Sequence, residues 1–332
     1  MNSVFIVTGA AGHLGRTIID SLEFTGCDVL GFDLPSTESI CDFPKNVRMF
    51  YGDVTVKEDL KKVFEAASAY QKQYVVHCAG IVSITERNKK QVEKVNIGGT
   101  KNIAELCLQY KVTRLIYVSS VHAIPETGHL LTEVSSFDPE TVDGTYAKTK
   151  AVAGNIVLKA VADGLDAVIV HPSGLLGPND HGRGHLTQLV VDFVRGRLTA
   201  CVKGGYDFVD VRDVADGILR CCSLANRGDT FILSNRYYDI KEILDIISDI
   251  TGRRKIKTVL PMWFAKSTAP LSVAYYRLLR QPPLYTSYSL STLTGGAVFS
   301  HEKATKQLGY TTRDIKTTLY DEIEWLKKIK RL

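Results

Sequence analysis

Short apolar runs alternate along the chain with longer stretches in which apolar residues recur every three or four positions. The runs are rich in Val and Ile and are bounded by Gly, Pro, Asp or Ser, so they predict buried strands. Six of them occur in the first half of the chain: "VFIVTG" (4–9), "DVLGFD" (28–33), "VRMFYGD" (47–53), "YVVHCAG" (74–80), "RLIYVSS" (114–120) and "DAVIVHP" (166–172). Helical periodicity fills the segments near 14–25, 57–70, 88–110 and 144–163. This alternation predicts an α/β protein with a doubly wound, mostly parallel sheet.

The alternation of apolar runs and helical segments becomes irregular after about residue 175, where turn-rich segments such as "LLGPND" and "HGRGH" interrupt it. Residues 1–175 therefore predict one domain, to which parts of 200–235 return. The rest of 176–332 predicts a smaller, discontinuous C-terminal subdomain. Within it, 262–290 is aromatic and punctuated by proline, and 301–330 predicts two helices joined by "LGYTTRDI".

The composition fits a soluble globular protein, since 45% of the 332 residues are hydrophobic and 23% are charged. The net charge of +5 is small for this length, and the basic clusters "TGRRKIK" and "WLKKIKRL" predict solvated surface rather than a nucleic-acid-binding face. The start "MNSVFIVTG" lacks the basic region and long apolar stretch of a signal peptide, and no window is apolar enough to predict a membrane span. We therefore expect a cytoplasmic protein.

Cysteine usage predicts neither a disulfide scaffold nor a zinc site, because the number is odd and no CxxC spacing occurs. Most of the seven lie in apolar runs and predict buried thiols: Cys27, Cys41, Cys78, Cys107, Cys201, Cys221 and Cys222. No histidine spacing matches a metal-binding motif, so we expect no metal.

The segment "VTGAAGHLG" (7–15) places three glycines between the first predicted strand and the first predicted helix. Glycine lets the backbone turn tightly and approach a pyrophosphate, and a helix N-terminus adds free N–H groups and a favourable dipole. The spacing of Gly9, Gly12 and Gly15 would by itself also fit an ordinary strand–helix turn. Asp33, however, ends the second predicted strand, where a carboxylate can accept hydrogen bonds from an adenosine ribose and repel a 2′-phosphate. The combination predicts an NAD site, with NADP the less favoured cofactor.

Two further strand ends fit the same nucleotide site. "GDV" places Asp53 at the end of the third predicted strand, where the edge of the adenine would lie. "HCAG" places Ala79 and Gly80 at the end of the fourth, where small residues would let the cofactor cross the edge of the sheet.

The segment "YAKTK" carries Tyr146 and Lys150 four positions apart, so both project from one face of a predicted helix. A free phenol has a pKa of about 10 and is a poor acid or base at neutral pH. A neighbouring ammonium group favours the phenolate and lowers that pKa, which would make the pair a general acid/base near neutral pH. YxxxK is common by chance, and its surroundings decide what it means.

Taken in order, these motifs resemble the extended short-chain dehydrogenase/reductase family of the NAD-dependent epimerase/dehydratase superfamily, over nearly the whole chain. The matching segments are "TGAAGHLG", Asp33, "GDV", "HCAG", "VNIGGTKNI", "YVSS", "YAKTK", "HPSGLLGP" and "FVDVRDVADG". The resemblance implies a Rossmann fold that binds NAD(P) in the first domain and substrate in the C-terminal subdomain. It implies that Tyr146 is the acid/base and that Lys150 binds the nicotinamide ribose. It also implies that Ser120 hydrogen-bonds the reacting oxygen and that Asn96 completes the network.

The resemblance implies two further sets of contacts. The cofactor contacts are Gly9, Ala11, Gly12, His13, Leu14, Gly15, Asp33, Asp53, Val54, Cys78, Ala79, Gly80, Lys150, His171, Pro172 and Ser173. The substrate contacts are Ser83, His122 and Gly174.

Alternatives stay open for some of these residues. Ser119 competes with Ser120, and the alternation of side chains along a strand predicts that only one of them faces the site. Asn96 fits a helix cap as well. His77 and His171 lie in apolar strands, where a structural role is the simpler interpretation.

Local motifs resemble the dihydroflavonol-4-reductase-like and 3β-hydroxysteroid dehydrogenase-like branch more than the sugar-nucleotide enzymes: "HCAGIVSI", "HPSGLLGPND", "FVDVRDVA" and "SHEKATKQLGY". We therefore expect an NAD(P)-dependent oxidoreductase that interconverts a ketone or aldehyde and an alcohol by hydride transfer. That branch commonly carries a basic residue near the end of the second strand and prefers NADP, whereas Asp33 here favours NAD. An NDP-sugar epimerase or dehydratase with bound NAD is one alternative, and a non-catalytic NAD(P)-sensing regulator is another.

The predicted substrate region favours an apolar ligand. A sugar diphosphate needs convergent arginines, and only scattered candidates are present: Arg183, Arg212, Arg277 and Arg280. The aromatic stretch 262–290 suits a flat or apolar substrate, or else packs the core of the subdomain. Family members commonly pair through the helices near 92–110 and 144–163, so the resemblance also implies a homodimer built on a four-helix bundle.

Overall fold

The structure, a computed structural model, describes residues 3–40, 42–83, 88–126, 130–182, 184–278, 290, 293 and 296–332. Cys41, Arg183, Arg280, the side chain of Arg277 and most of the aromatic stretch beyond 278 lie outside the described residues.

Strands and helices alternate through the first part of the chain, as the sequence predicts. The strands are β1 (Ser3–Thr8), β2 (Asp28–Asp33), β3 (Val47–Tyr51), β4 (Lys72–His77), β5 (Arg114–Val118), β6 (Leu130–Leu131), β7 (Ala167–Pro172), β8 (Gly174–Leu176), β9 (Ala200–Val202), β10 (Gly205–Asp210), β11 (Thr230–Leu233), β12 (Arg236–Asp239), β13 (Thr258–Leu260) and β14 (Val298–Phe299). The helices are α1 (His13–Leu22), α2 (Lys57–Ala67), α3 (Lys89–Glu93), α4 (Thr100–Gln109), α5 (Thr145–Ala162), α6 (His185–Val194), α7 (Val211–Leu224), α8 (Ile240–Thr251), α9 (Met262–Leu278), α10 (Glu302–Leu308) and α11 (Ile315–Lys328).

A central sheet of seven strands has the order β11-β7-β5-β4-β1-β2-β3, and all of its pairings are parallel. The order reverses on either side of β1, which is the doubly wound arrangement. The predicted α/β Rossmann fold is therefore confirmed. β11 joins the sheet beside β7, so the chain returns to it late.

Both faces of the sheet are buried, and this explains the unbroken apolar runs. In β1, Val4 and Ile6 pack in a core with α2, α4 and α5, whereas Phe5 and Val7 pack in a second core with α1 and α7. Because successive side chains of a strand point to opposite faces, a strand between two cores needs apolar residues at every position.

Three central strands end two or three residues before their predicted limits, at Tyr51, His77 and Val118. Residues beyond these ends keep one or two backbone hydrogen bonds to the sheet, such as Ser119 N–H to Val170 O (2.8 Å), and then leave it. The shortened strands put the predicted site residues in loops at the carboxyl edge of the sheet.

The predicted helix over 88–110 is continuous but irregular, since a π-helical stretch at Lys94–Gly99 separates α3 from α4. The two predicted C-terminal helices are confirmed as α10 and α11.

The later part of the chain forms a third core under α6, α8 and α11, next to a three-stranded sheet of order β12-β10-β8. Two two-stranded sheets, β13-β9 and β14-β6, complete the described strands. Over the described residues, the helices are too short or too polar to cross a lipid bilayer.

Candidate active site

A cavity of about 690 Å³ lies at the carboxyl edge of the central sheet. Loops that follow β1, β4, β5 and β7 form one side of it, and α6, α8, α9, β9 and β10 form the other. In open α/β sheets this edge, at the point where the strand order reverses, is where ligands bind.

Most of the predicted site residues line this cavity. Those that do are Gly9, Gly12, His13, Leu14, Gly15, Cys78, Gly80, Ser83, Ser120, His122, Tyr146, Lys150, Pro172, Ser173 and Gly174. Those that lie beside it or behind it are Ala11, Asp33, Asp53, Val54, Ala79, Asn96 and His171.

The glycine turn is shaped for a close approach by a phosphate group. Gly9 has a φ of +69°, and a Cβ atom built on Gly15 would lie 2.1 Å from the Gly9 carbonyl oxygen. α1 begins at His13, and within this fully described helix no side chain caps the N-terminus. Its first N–H groups and dipole therefore suit a pyrophosphate, so the chain fits a dinucleotide here.

His13 joins this turn to the loop after β8. Its Nε2 lies 2.9 Å from the Pro178 carbonyl oxygen, and burial lowers the pKa of its imidazole. The ring is therefore neutral, and it holds the glycine turn to this loop by a hydrogen bond rather than by charge.

Asp33 lies at the end of β2 and is held against the glycine turn. Its two oxygens accept hydrogen bonds from Ala11 N–H (2.8 Å) and Leu34 N–H (2.7 Å). Burial raises the pKa of this carboxyl, and the Ala11 N–H opposes that effect. The carboxylate is thus fixed where the ribose of a nucleotide on this turn would present its hydroxyls.

The predicted contacts after β3 are only partly suited to ligand binding. Asp53 accepts a hydrogen bond from Thr55 N–H (2.8 Å) and is half-buried. The side chain of Val54 packs behind the edge, where a Cβ atom on Gly99 would lie 2.8 Å from its Cγ2. That Val54 contacts the cofactor stays a prediction, and its side chain packs against the π-helical stretch.

At the end of β4, Cys78 and Gly80 face the cavity, while Ala79 points its N–H toward Thr8 Oγ1 (3.3 Å). Burial raises the pKa of the Cys78 thiol to about 12, so it is an uncharged wall residue. A Cβ atom on Gly80 would lie 3.5 Å from Lys150 Nζ. Glycine at this position leaves the approach to the lysine open.

Tyr146, Ser120 and Lys150 meet in the middle of the cavity. α5 starts at Thr145, after Gly144 with a φ of 87°, and carries Tyr146 and Lys150 on one buried face. The Ser120 hydroxyl lies near enough to the phenol of Tyr146 to lower its pKa. Lys150 Nζ donates to Val118 O (2.8 Å) and lies 5.2 Å from the centre of the Tyr117 ring.

The tuning of Tyr146 by Lys150 stays a prediction, since burial dominates the pKa of Tyr146 in the structure. Burial raises the pKa of Tyr146 to about 12, and the Ser120 hydroxyl offsets only part of that rise. Burial also lowers the pKa of Lys150 to about 8. The ammonium group points to a backbone carbonyl, so burial outweighs its attraction to a phenolate.

Ser119 and Ser120 both line the cavity, but the Ser119 hydroxyl is buried, so the expectation that only one side chain faces the site stays a prediction. Alternation holds within a strand, but β5 ends at Val118 and the chain turns at Val121–Ala123. Ser120 is the one that reaches Tyr146, and its Oγ accepts a hydrogen bond from His122 N–H (3.3 Å).

Asn96 and His171 position backbone instead of facing the cavity. Asn96 Oδ1 accepts from Ile81 N–H (2.8 Å), and its Nδ2 donates to Ile81 O (3.1 Å) and Thr149 Oγ1 (3.0 Å). His171 is fully buried and its Nδ1 lies 3.0 Å from Ser120 O. The roles of Asn96 in the active-site network and of His171 as a cofactor contact stay predictions, and in the structure the Asn96 amide holds Ile81 while the His171 ring lies against Ser120 O.

His77 is likewise structural. Its ring nitrogens lie 2.7 Å from Thr8 Oγ1 and 3.1 Å from Thr100 Oγ1, and burial lowers its pKa to about 3.

Beyond Tyr146 the cavity becomes apolar. Its wall there consists of Leu186, Leu189, Leu198, Val202, Leu244, Leu260, Ala265, Leu290 and Leu293. Among the described lining residues, Lys150 is the only lysine or arginine. Arg212 instead forms ion pairs with Asp210 and Asp321, both at 2.7 Å.

The aromatic stretch contributes less to this wall than its composition predicts. Trp263 and Phe264 are exposed to solvent, and the inward face of α9 presents Ala265. These two exposed rings fit neither alternative for the stretch, and its other aromatic side chains lie outside the described side chains.

Tyr206 is a lining residue that the sequence did not reveal. Its hydroxyl lies 3.0 Å from His122 Nε2, and the two rings stack with centres 5.4 Å apart. His122 also meets Tyr146 edge to face, with centres 6.1 Å apart, and burial lowers its pKa to about 4. His122 and Tyr206 therefore form a polar contact at the apolar end of the cavity. The pairing of β10 with β8 brings Tyr206 to the site.

Comparison with known proteins shows which family the chain belongs to. The sequence matches the NAD dependent epimerase/dehydratase family over residues 5–234. The chain belongs to this family. Its resemblance to the extended short-chain dehydrogenases/reductases is thereby confirmed, and it is an NAD-dependent dehydrogenase/reductase.

Three similar proteins align with nearly the whole chain. It is 27% identical over 329 residues to the sterol demethylase protein B of Methylococcus capsulatus, which covers 97% of this chain and 98% of that protein. It is 25% identical over 350 residues to the decarboxylating sterol-4-alpha-carboxylate 3-dehydrogenase of Schizosaccharomyces pombe, with 100% and 99% covered. The crystal structure of gox2253 is similar over the full length of both chains, with a TM-score of 0.83 and 26% identity.

Proposed function

We propose that this dehydrogenase/reductase interconverts a large apolar alcohol and the corresponding ketone, with Tyr146 transferring the proton. The observation that carries the proposal is the position of Tyr146 and Ser120 together, between the glycine-lined end and the apolar end of one cavity. A carbonyl that enters from the apolar end meets this pair before it reaches the glycine turn.

The chain's own groups account for the proton. A bound cofactor would supply the hydride chemistry: its oxidised form would take the hydride from the carbon that bears the reacting oxygen, and its reduced form would return it. Tyr146, held protonated by burial, donates its proton to that oxygen in reduction. In oxidation its phenol first gives up its proton to solvent, and the phenolate then removes the proton of the alcohol. His122 N–H occupies Ser120 Oγ as a donor, so the serine's own proton is directed to the phenol or to the reacting oxygen.

Lys150 and Asp33 are assigned to the two riboses of the cofactor. Lys150 keeps its buried amino group beside Gly80, where it can donate to ribose hydroxyls. Asp33 can accept from ribose hydroxyls and would repel a 2′-phosphate, so NAD is proposed over NADP.

The apolar wall and the absence of arginine or further lysine from the described lining residues favour an uncharged substrate. Two relatives carry "sterol" in their names. We therefore propose a sterol-like alcohol or ketone as the substrate class. A sugar nucleotide is less favoured, because its diphosphate would lack charged partners on this wall. A purely regulatory role is less favoured, because Tyr146, Ser120 and Lys150 are all present and in contact range.

A panel of substrates tests the proposal. Purified protein is mixed with NAD and, separately, with 3-hydroxysteroids, sterols, short aliphatic alcohols and UDP-sugars, and NADH formation is followed by absorbance. We expect net NADH formation with the polycyclic alcohols and none with UDP-sugars. Conversion of a UDP-sugar without net cofactor turnover would instead assign the chain to the epimerases.

A further inference from the structure

The charge of the chain is distributed unevenly around α9. Residues 250–301 contain seven of the 41 lysines and arginines and none of the 36 acidic residues. The remainder of the chain therefore has slightly more acidic than basic residues, although the net charge is +5. A positive surface of this kind suits an anionic partner.

The helix at the centre of this region exposes large apolar side chains. Trp263 is 72% exposed, Leu271 71% and Leu278 83%, and Phe264 is also exposed. Phe264, Leu271 and Leu278 are spaced by seven residues, so they lie along one side of α9. Exposed apolar side chains aligned in this way mark a surface that is covered by a partner.

The opposite side of the same helix covers the apolar cavity. Ala265 and Ala269 are 2% and 1% exposed, and Ala265 lines the cavity. β13, which leads into α9, repeats the pattern: Leu260 lines the cavity, whereas Val259 is 45% exposed. One layer of chain thus separates the apolar cavity from the exposed apolar stripe.

Cations lie immediately before this layer. Arg253, Arg254, Lys255 and Lys257 are all exposed, and Lys255 is paired with Asp249 at 2.8 Å. The Arg253 guanidinium lies beside Gly196, where a Cβ atom would be 3.9 Å from its Nη1, and this brings it to the loop that carries Arg195 and Arg197. Basic and aromatic side chains together are typical of surfaces that bind the interface of an anionic membrane.

We propose that α9 and the basic loop 253–257 dock on the surface of an anionic phospholipid bilayer. The exposed side chains of Trp263, Phe264 and Leu271 enter the interfacial region, and the arginines and lysines contact the headgroups. The docked face places the wall of the apolar cavity against the lipid, from which an apolar substrate could be taken. The docking itself depends only on this face and not on the reaction proposed above.

Vesicle sedimentation with the full chain tests the proposal. We expect binding to vesicles of three parts phosphatidylcholine to one part phosphatidylglycerol, weaker binding in high salt, and little binding to phosphatidylcholine alone. Joint replacement Trp263→Ser and Phe264→Ser should lower the partition coefficient about tenfold or more, and so should Arg253→Glu with Arg254→Glu. Phe24→Ser, at a side chain 90% exposed after α1, and Lys62→Glu, at a side chain 66% exposed on α2, are the matched controls and should bind like the unaltered protein.

Fluorescence supplies a readout that needs no destabilising change. The chain has two tryptophans, and Trp325→Phe leaves Trp263 as the reporter. Its emission should shift to shorter wavelength on addition of the anionic vesicles. The proposal is overturned by an absence of that shift, by vesicle binding that the α9 and loop substitutions leave unchanged, or by a change in molecular mass on Trp263→Ser and Phe264→Ser, which would assign the face to a second copy of the chain.

Discussion

Asp33 is a residue whose carboxylate is fixed before any ligand arrives, since each oxygen accepts a backbone N–H. Replacing it with Ala removes the acceptors and the negative charge that we assign to the adenosine ribose. We expect Asp33→Ala to raise the KM for NAD roughly tenfold and to improve the relative use of NADP. Steady-state kinetics with both cofactors measure this ratio. An NAD/NADP preference equal to that of the unaltered enzyme would remove Asp33 from the cofactor site.

The His122–Tyr206 pair leads to a prediction about substrate binding. Tyr206→Phe removes the hydroxyl that lies 3.0 Å from His122 Nε2 and leaves the stacked ring. We expect a several-fold rise in the KM for the apolar substrate with a smaller change in kcat, because the loss of one hydrogen bond costs about 1 kcal/mol. Tyr320→Phe, at an exposed ring on α11, is the control. Equal KM values for the two variants would place Tyr206 outside the substrate site.

Single residues were predictable from sequence where a motif fixes their backbone. Gly9 and Gly15 occupy positions that admit no larger residue, and the motif reports that requirement directly. The pKa of Tyr146 was not predictable, because it depends on burial that the YxxxK spacing does not encode. The hydrogen bonds between the Asn96 amide and the Ile81 backbone were equally unpredictable from sequence, since they join a π-helical stretch to a loop.

At the scale of elements, the buried side chain of Glu322 links α11 to the site region. Glu322 Oε2 accepts a hydrogen bond from Gly177 N–H (3.0 Å), in the segment between β8 and α6. Burial raises the pKa of Glu322 to about 8, with Asp180 and Asp210 adding to the rise, while the Gly177 N–H and the Thr187 hydroxyl oppose it. The folded protein therefore holds this proton more tightly than the unfolded chain does.

The raised pKa of Glu322 determines the direction in which the free energy of unfolding changes with pH. Between the ordinary carboxyl value of 4.5 and about 8, the folded state binds more protons than the unfolded state, so the free energy of unfolding falls as pH rises. Glu322→Gln keeps the shape without the titration. Across this pH window the unaltered protein should lose on the order of 1 to a few kcal/mol relative to the variant. Urea unfolding of both proteins at several pH values measures the difference, and parallel curves would contradict the assignment.

The sequence predicted the helices and strands that have strong hydrophobic periodicity, but it did not predict where they end. The strands β3, β4 and β5 stop short because loop residues leave the sheet to build the cavity, although the apolar runs continue. The break between α3 and α4 has no sequence signature, because it is held by tertiary hydrogen bonds from Asn96. α9 illustrates the converse case: its aromatic composition left a cavity lining or a core role open, but Trp263 and Phe264 are exposed.

For the whole molecule, the cofactor half of the cavity could be predicted and the substrate half could not. The glycine turn and strand ends come from local motifs in the first 175 residues. The apolar wall comes from side chains spread between 186 and 293 that share no motif and meet only through tertiary packing, in the third core and in a smaller cluster around Ala265, Ala269 and Leu290.

The homodimer stays a prediction. α4 and α5, the helices assigned to the four-helix bundle, pack on each other along one side of the central sheet. Light scattering should give a mass of about twice 36.7 kDa. A monomeric mass would contradict the four-helix pairing without affecting the site.

The most direct test of the account is single-turnover hydride transfer in Tyr146→Phe. This change removes the phenolic hydroxyl and leaves the buried ring, so NAD should still bind, as titration of the cofactor measures. We predict that the rate of hydride transfer between NAD and the polycyclic alcohol falls by about 10²- to 10⁴-fold. A rate near that of the unaltered enzyme, with NAD bound equally well, would show that another group moves the proton and would contradict the account.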